Sequence, residues 1–133
     1  VPLFVYAGYK FDSAYPDEGM FRGEVIVKVL RHIYISPEMA LIDPTMDSFS
    51  LVGSNAEALN IFKITGYHVA YALANILQAR HMMSDQDRWT SHDGAFAYSR
   101  LFYTALNWFS YAEDDPLVEE TLNWLNMYVL AHL

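Results

Sequence analysis

The 133-residue sequence has no cysteine, only eight lysines and arginines, and no apolar run near the ~20 residues of a membrane span. Without cysteine there is no thiol nucleophile, no thiolate zinc site and no disulfide scaffold. The compartment stays open, because a chain without thiols suits either redox environment. The shortage of base gives a formal net charge of −8. Such a chain repels polyanions at long range, so any nucleic-acid contact has to be local. Also missing are a Walker loop, a dinucleotide fingerprint, a zincin HExxH and a nucleophile elbow. No internal repeat or low-complexity linker interrupts the chain, and strand signals are weak throughout.

What is present is apolar and aromatic. Hydrophobic residues make up 53% of the chain and aromatic residues 16%. That is ample for one domain that buries its own core without metal or disulfide. The first residue is Val1 rather than methionine, which points to a processed product or a fragment. Charge is uneven. Residues 101–133 hold five acids and no base, whereas residues 58–100 carry Lys63, Arg80, Arg88 and Arg100 against three aspartates. His68, His81 and His92 lie in that middle segment too.

Periodicity and cap residues predict an all-α single domain over 1–133, with about five main helices and short extra turns. Val1-Pro2 and Tyr15-Pro16 favour non-helical backbone, so residues 1–16 read as an extended arm. A first helix is expected from about Met20 to Ile35, with Ile26, Val29, Leu30 and Ile33 inward. Glu24, Lys28, Arg31 and His32 line its opposite, polar side. Ser54-Asn55-Ala56-Glu57 is a capping-box pattern, and Thr65-Gly66 is a second start, for a helix reaching about Met83. Ser84 to Gly94 reads as a polar loop ending in an Asp93-Gly94 turn. A fourth helix over 95–111 follows, and Asp115-Pro116 opens a fifth.

The chemistry-bearing residues form loose constellations, each with a plainer structural reading beside it. Arg80 and His81 continue the apolar stripe of the third helix. They suit charge stabilisation and acid/base work, or else a snorkelling arginine and a hydrogen-bonded core histidine. His68, Tyr71 and Asn75 form a second stripe, which is proton-transfer chemistry or a solvated polar face. Asp85, Asp87, His92 and Asp93 fall within nine residues and suit Mg²⁺, Mn²⁺ or Zn²⁺, or simple turn and cap chemistry. Arg88 with Trp89 and Arg31 with His32 are possible RNA contacts. The aromatics of the last two helices, Trp108 and Trp124 included, read as core.

The order of several short motifs carries a resemblance. Pro2-Leu3-Phe4-Val5-Tyr6 is followed by Tyr9-Lys10-Phe11-Asp12, then by Arg31-His32-Ile33-Tyr34 at a helix end. Ala70-Tyr71, Gln78-Ala79-Arg80, Asp93-Gly94 and Phe102-Tyr103 come next, and an acidic turn precedes a Trp-containing last helix. Over nearly its whole length the chain resembles an uncharacterised helical family of mushroom-forming fungi. Many members of that family are longer at the N-terminus. More loosely, the chain is similar to the basidiomycete ribotoxin-like proteins.

The second resemblance implies a divalent-metal-dependent endoribonuclease that cuts a loop of the large ribosomal RNA and stops translation. For such an enzyme this chain's own residues offer His81 for acid/base work and Arg80 for charge stabilisation, with Tyr71 and His68 as second choices. Asp85, Asp87, His92 and Asp93 hold the metal. An intracellular fungal protein is expected, monomeric and without a membrane partner, although secretion stays open. The alternative is a non-catalytic helical protein-interaction domain, or a defence or storage protein.

Overall fold

Apolar residues spaced to one face of each helix, and cap residues at helix starts, account for most of the architecture. The computed structural model describes residues 3–41, 54–83, 91–111 and 114–130, with the side chains of 80–83, 91–99 and 111 outside that description. Among the described residues the fold is all-α: α1 (Glu24–Tyr34), α2 (Asn55–Ala58), α3 (Gly66–Met83), α4 (Ser91–Tyr111) and α5 (Pro116–Leu130), with short 3₁₀ turns before α1 and after it. One isolated antiparallel bridge joins Tyr6 and Met20.

Local chemistry starts α2, α3 and α5 where the sequence predicts, whereas α1 begins at Glu24 rather than near Met20. Ser54 Oγ accepts from the Glu57 amide at 3.0 Å and caps α2. Asp115 Oδ1 accepts from the Leu117 amide at 2.9 Å, with Pro116 in the first helical position of α5. The start of α4 lies earlier than expected, at Ser91. Asp93 and Gly94 are therefore helical rather than a turn. A carboxylate-bearing residue suits the first turn of a helix, where the dipole favours negative charge, so the Asp-Gly pair does not need to break it.

The N-terminal segment is not an extended arm. It folds into 3₁₀ turns at Leu3–Val5 and Ala7–Tyr9 and buries Phe4, Val5 and Tyr6. Proline restricts itself and the residue before it, which leaves residues 3–14 free to turn and bury their apolar side chains. Hydrogen bonds from Ala7 N to Gly19 O (2.9 Å) and from Gly23 N to Val5 O (3.1 Å) tie this segment to the approach to α1.

α1 lies at the centre, touching α2, α3, α5 and the N-terminal turns. Its buried residues are Ile26, Val27, Leu30, Arg31 and Tyr34, while Val29 and Ile33 are only half-buried. The inward face is thus rotated from the one expected, and Arg31 is not on the polar stripe but fully buried. The reason is visible in its partner. Arg31 Nε donates to the Tyr128 carbonyl at 2.7 Å. Tyr128 lies in the last turn of α5, where carbonyls lack a helical donor and the dipole attracts cations. A guanidinium there answers a need that a purely apolar residue could not.

α3 and α4 pack along their length. Val69, Leu73, Ile76 and Leu77 of α3 and Leu101, Ala105 and Phe109 of α4 belong to one buried core. The start of α3 meets the end of α4 so closely that a Cβ on Gly66 would collide with the Phe109 side chain. Phe21 completes the centre, with its ring 5.1 Å from those of both Trp108 and Phe109. Trp108 and Trp124 are half-buried at the margin of the core. No helix among the described residues is long and apolar enough to cross a membrane.

Candidate functional site

The most distinctive surface lies where the end of α1 meets the start of α3 and the middle of α4. Residues 64–79 and 101–112 contain no Asp, Glu, Lys or Arg, although the whole chain carries 24 such residues. Helix packing turns tyrosines outward from these two stretches. Tyr67 is 62% exposed, Tyr103 60% and Tyr71 46%. The rings are linked edge to face: Tyr67 to Phe102 at 6.1 Å, and Phe102 to Tyr103 at 5.5 Å. Behind them Tyr34 of α1 is buried and meets the His68 ring edge-on at 5.1 Å. Burial raises the pKa of the Tyr34 phenol, and the nearby Tyr71 and Tyr67 phenols raise it further. A shallow cleft of about 460 Å³ continues the face past Tyr67, Leu106 and Ser110 to Leu122 of α5.

His68 is built into this surface by the helix start. Thr65 precedes the first helical residue, and its amide donates to His68 Nδ1 at 2.9 Å. The Thr65 hydroxyl lies 3.2 Å from the same nitrogen. A nitrogen that accepts an N–H bond holds a lone pair, so the proton of the neutral ring is on Nε2. Burial lowers the His68 pKa below its ordinary 6.5. His68 and Tyr71 sit one turn apart on α3, and Asn75 Nδ2 donates to the Tyr71 carbonyl at 2.9 Å. In this arrangement His68 caps a helix, and its Nε2–H is the edge left to donate.

The other candidates divide. Arg31 and His32 are neighbours in sequence with opposite fates: Arg31 is buried, and His32 is exposed. Arg31, a possible RNA contact by sequence, has its guanidinium inside the fold for the reason given above. Arg80 and His81 lie in the final turn of α3, and His92 and Asp93 in the first turn of α4, with their side chains outside the described residues. Asp85, Asp87, Arg88 and Trp89 lie outside the described residues altogether. Among the described residues no three of His, Asp or Glu converge as metal ligands do. Tyr34, Tyr67 and Tyr103 escaped sequence reasoning. The signal that could have found them is the absence of charge from residues 64–79 and 101–112 in an otherwise acidic chain.

A second concavity, an open groove of about 1100 Å³, runs between the N-terminal turns and α5. Arg22 lies 5.7 Å above the Trp124 ring there. Lys10 and Arg22 share this groove with Asp12 and Glu18, so it carries no net charge.

Comparison with known proteins adds a family but no function. No curated protein and no solved structure matches the chain. A family model does match, over residues 1–130, and its description is "Family of unknown function (DUF6698)". With almost every residue covered, the chain belongs to DUF6698, a family of unknown function.

Proposed function

We propose that this chain is a helical protein-interaction domain, and that the tyrosine face of α3 and α4 is its contact surface. The single observation that carries the reading is a surface with three exposed tyrosines and no formal charge over residues 64–79 and 101–112, in a chain of net charge −8. Interface centres are depleted of charge and enriched in Tyr, because an amphipathic ring buries apolar area at little rotamer cost. A partner that suits this face presents an uncharged, apolar protein surface. The test places a photoreactive side chain at Tyr103, and at exposed Glu38 as a control, in intact cells. A defined adduct from position 103 alone is expected, competed by the wild-type protein and not by a Tyr67→Lys, Tyr71→Lys variant. Equal labelling from both positions, or none, overturns the reading.

A second reading follows from the resemblance to ribotoxin-like proteins: an intracellular protein of a mushroom-forming fungus that cleaves ribosomal RNA with a divalent metal. What favours it in the fold is His68 and Tyr71 one turn apart on α3, a proton carrier beside a phenol able to donate to phosphate. Arg80, His81 and the metal ligands Asp85, Asp87, His92 and Asp93 complete that reading, with Arg88, Trp89 and His32 as RNA contacts. Intact ribosomes incubated with the protein, with and without EDTA, decide it. One short RNA fragment that EDTA abolishes supports the nuclease, and intact RNA with every divalent metal removes it.

A further inference from the structure

We propose that His68 is an acid-sensitive cap on α3, and that its protonation loosens the tyrosine face and weakens partner binding. The proposal rests on the reading of that face as an interaction surface. It adds a regulator that the reading itself does not require.

The geometry is the reach-back half of a capping box, with an unusual member. In the ordinary form, the third residue of the helix is Glu or Gln and reaches back to accept the amide of the cap residue. Here Thr65 is the cap residue, Gly66 opens α3, and His68 fills the third position with Nδ1 on the Thr65 amide. A carboxylate in that role works across the neutral range. An imidazole works only while Nδ1 keeps its lone pair. Protonation fails twice: the Thr65 amide loses its acceptor, and a positive charge appears at the positive end of the helix dipole.

The groups set beside the ring carry no opposite charge to meet it. From α1, Tyr34 faces the ring edge-on at 5.1 Å. From the helix start, the Thr65 hydroxyl lies 3.2 Å away, and α3 itself contributes Tyr67 and Tyr71 beside Tyr34. All are uncharged wherever imidazole titrates. Burial is the cause of the lowered His68 pKa. The segment that the cap governs is short. Upstream, Ile64 is held through both its backbone groups by Asn126; downstream, Val69 is buried in the core. Residues 65–68 lie between these anchors, and they carry Tyr67 and the ring that backs Tyr34.

NMR of the full chain tests this. Long-range ¹H–¹⁵N spectra report the His68 tautomer, and amide exchange, normalised to intrinsic rates, reports the cap. From about pH 7.5 to about pH 5, protection at Thr65 is expected to fall about tenfold, with Leu73 unchanged. His68→Glu restores the ordinary capping box and flattens the dependence; His68→Phe lacks the cap at every pH. The Tyr103 photoadduct, formed in cell extract adjusted to the same pH values, should fall with Thr65 protection in the wild type and stay constant in His68→Glu. A proton on Nδ1 at neutral pH, Thr65 protection that ignores His68 titration, or an adduct yield that ignores Thr65 protection each overturns the proposal. A working cap with no adduct at any pH overturns the interaction reading, and the binding half of the proposal with it.

Discussion

The Asn126 side chain pairs with both backbone groups of Ile64. Its Oδ1 accepts from the Ile64 amide at 2.7 Å, and its Nδ2 donates to the Ile64 carbonyl at 3.1 Å and to the Leu122 carbonyl at 2.8 Å. One amide from α5 thus does for the α2–α3 connection what a neighbouring strand does in a sheet. Asn126→Leu leaves the buried Ile64 groups without that partner. It is expected to destabilise the fold by about 3 kcal/mol, the cost of orphaned buried polar groups. Urea unfolding measures it, and a loss below about 0.5 kcal/mol would refute the assigned role.

Arg31 is a second polar residue buried inside the fold, fully enclosed. Arg31→Met removes the donor from the Tyr128 carbonyl, and a loss of about 3 kcal/mol is expected. Arg31→Lys should recover little of it, because the ammonium lies beyond the Nε position and lacks the planar fork. A lysine variant as stable as wild type in thermal melts argues that charge alone, not guanidinium geometry, closes α5.

Gly66 gives a test in which two rules disagree in sign. Helix propensity favours alanine over glycine by about 1 kcal/mol. The close approach of Phe109 opposes it, since any Cβ at Gly66 meets that side chain. Crowding is expected to win, with Gly66→Ala less stable by about 2 kcal/mol and Phe109→Val restoring part of the loss. A stabilised Gly66→Ala in denaturant titration would show that the helices part at small cost.

Stability should depend on pH at both ends. The folded state lowers the His68 pKa, so its contribution is fully present above 6.5 and is lost as pH falls from 6.5 through the folded-state value. Burial raises the phenol pKa of Tyr6 and Tyr34, with Asp17 adding to the shift at Tyr6. Their contribution is present below 10 and lost as pH rises through the folded-state values. Urea midpoints across this range, compared with His68→Gln, should show the acid loss reduced in the variant. An identical acid limb assigns the loss to other groups.

The starts of α2, α3 and α5 were legible in the sequence because caps act within four residues: Ser54, Thr65 and Asp115 each announce a helix that the fold contains. The inward residues of α3 were legible too, since Val69, Leu73, Ile76 and Leu77 repeat at helical spacing. Long-range polar pairing was not legible. Asn126 and Arg31 look like surface residues by type, and only the position of a distant carbonyl makes them interior. Arg31 also hid the true face of α1, since counting it as polar turned the expected stripe away from Val27. Of the candidate site, His68 and Tyr71 were visible as a stripe, but the partners of that stripe come from α1 and α4, which no local pattern connects.

The two polar fastenings of α5 also bear on the order of folding. Arg31 and Tyr128 are 97 residues apart in the chain, and Asn126 and Ile64 are 62 apart. α3 and α4 meet across a far shorter connection. Closing a long loop costs entropy before its contacts return anything, so the α3–α4 hairpin is the natural nucleus and α5 a late arrival. Mutations at Asn126 or Arg31 should therefore speed unfolding far more than they slow folding, and a chain caught before α5 docks would already have formed the helix pair that carries its tyrosines.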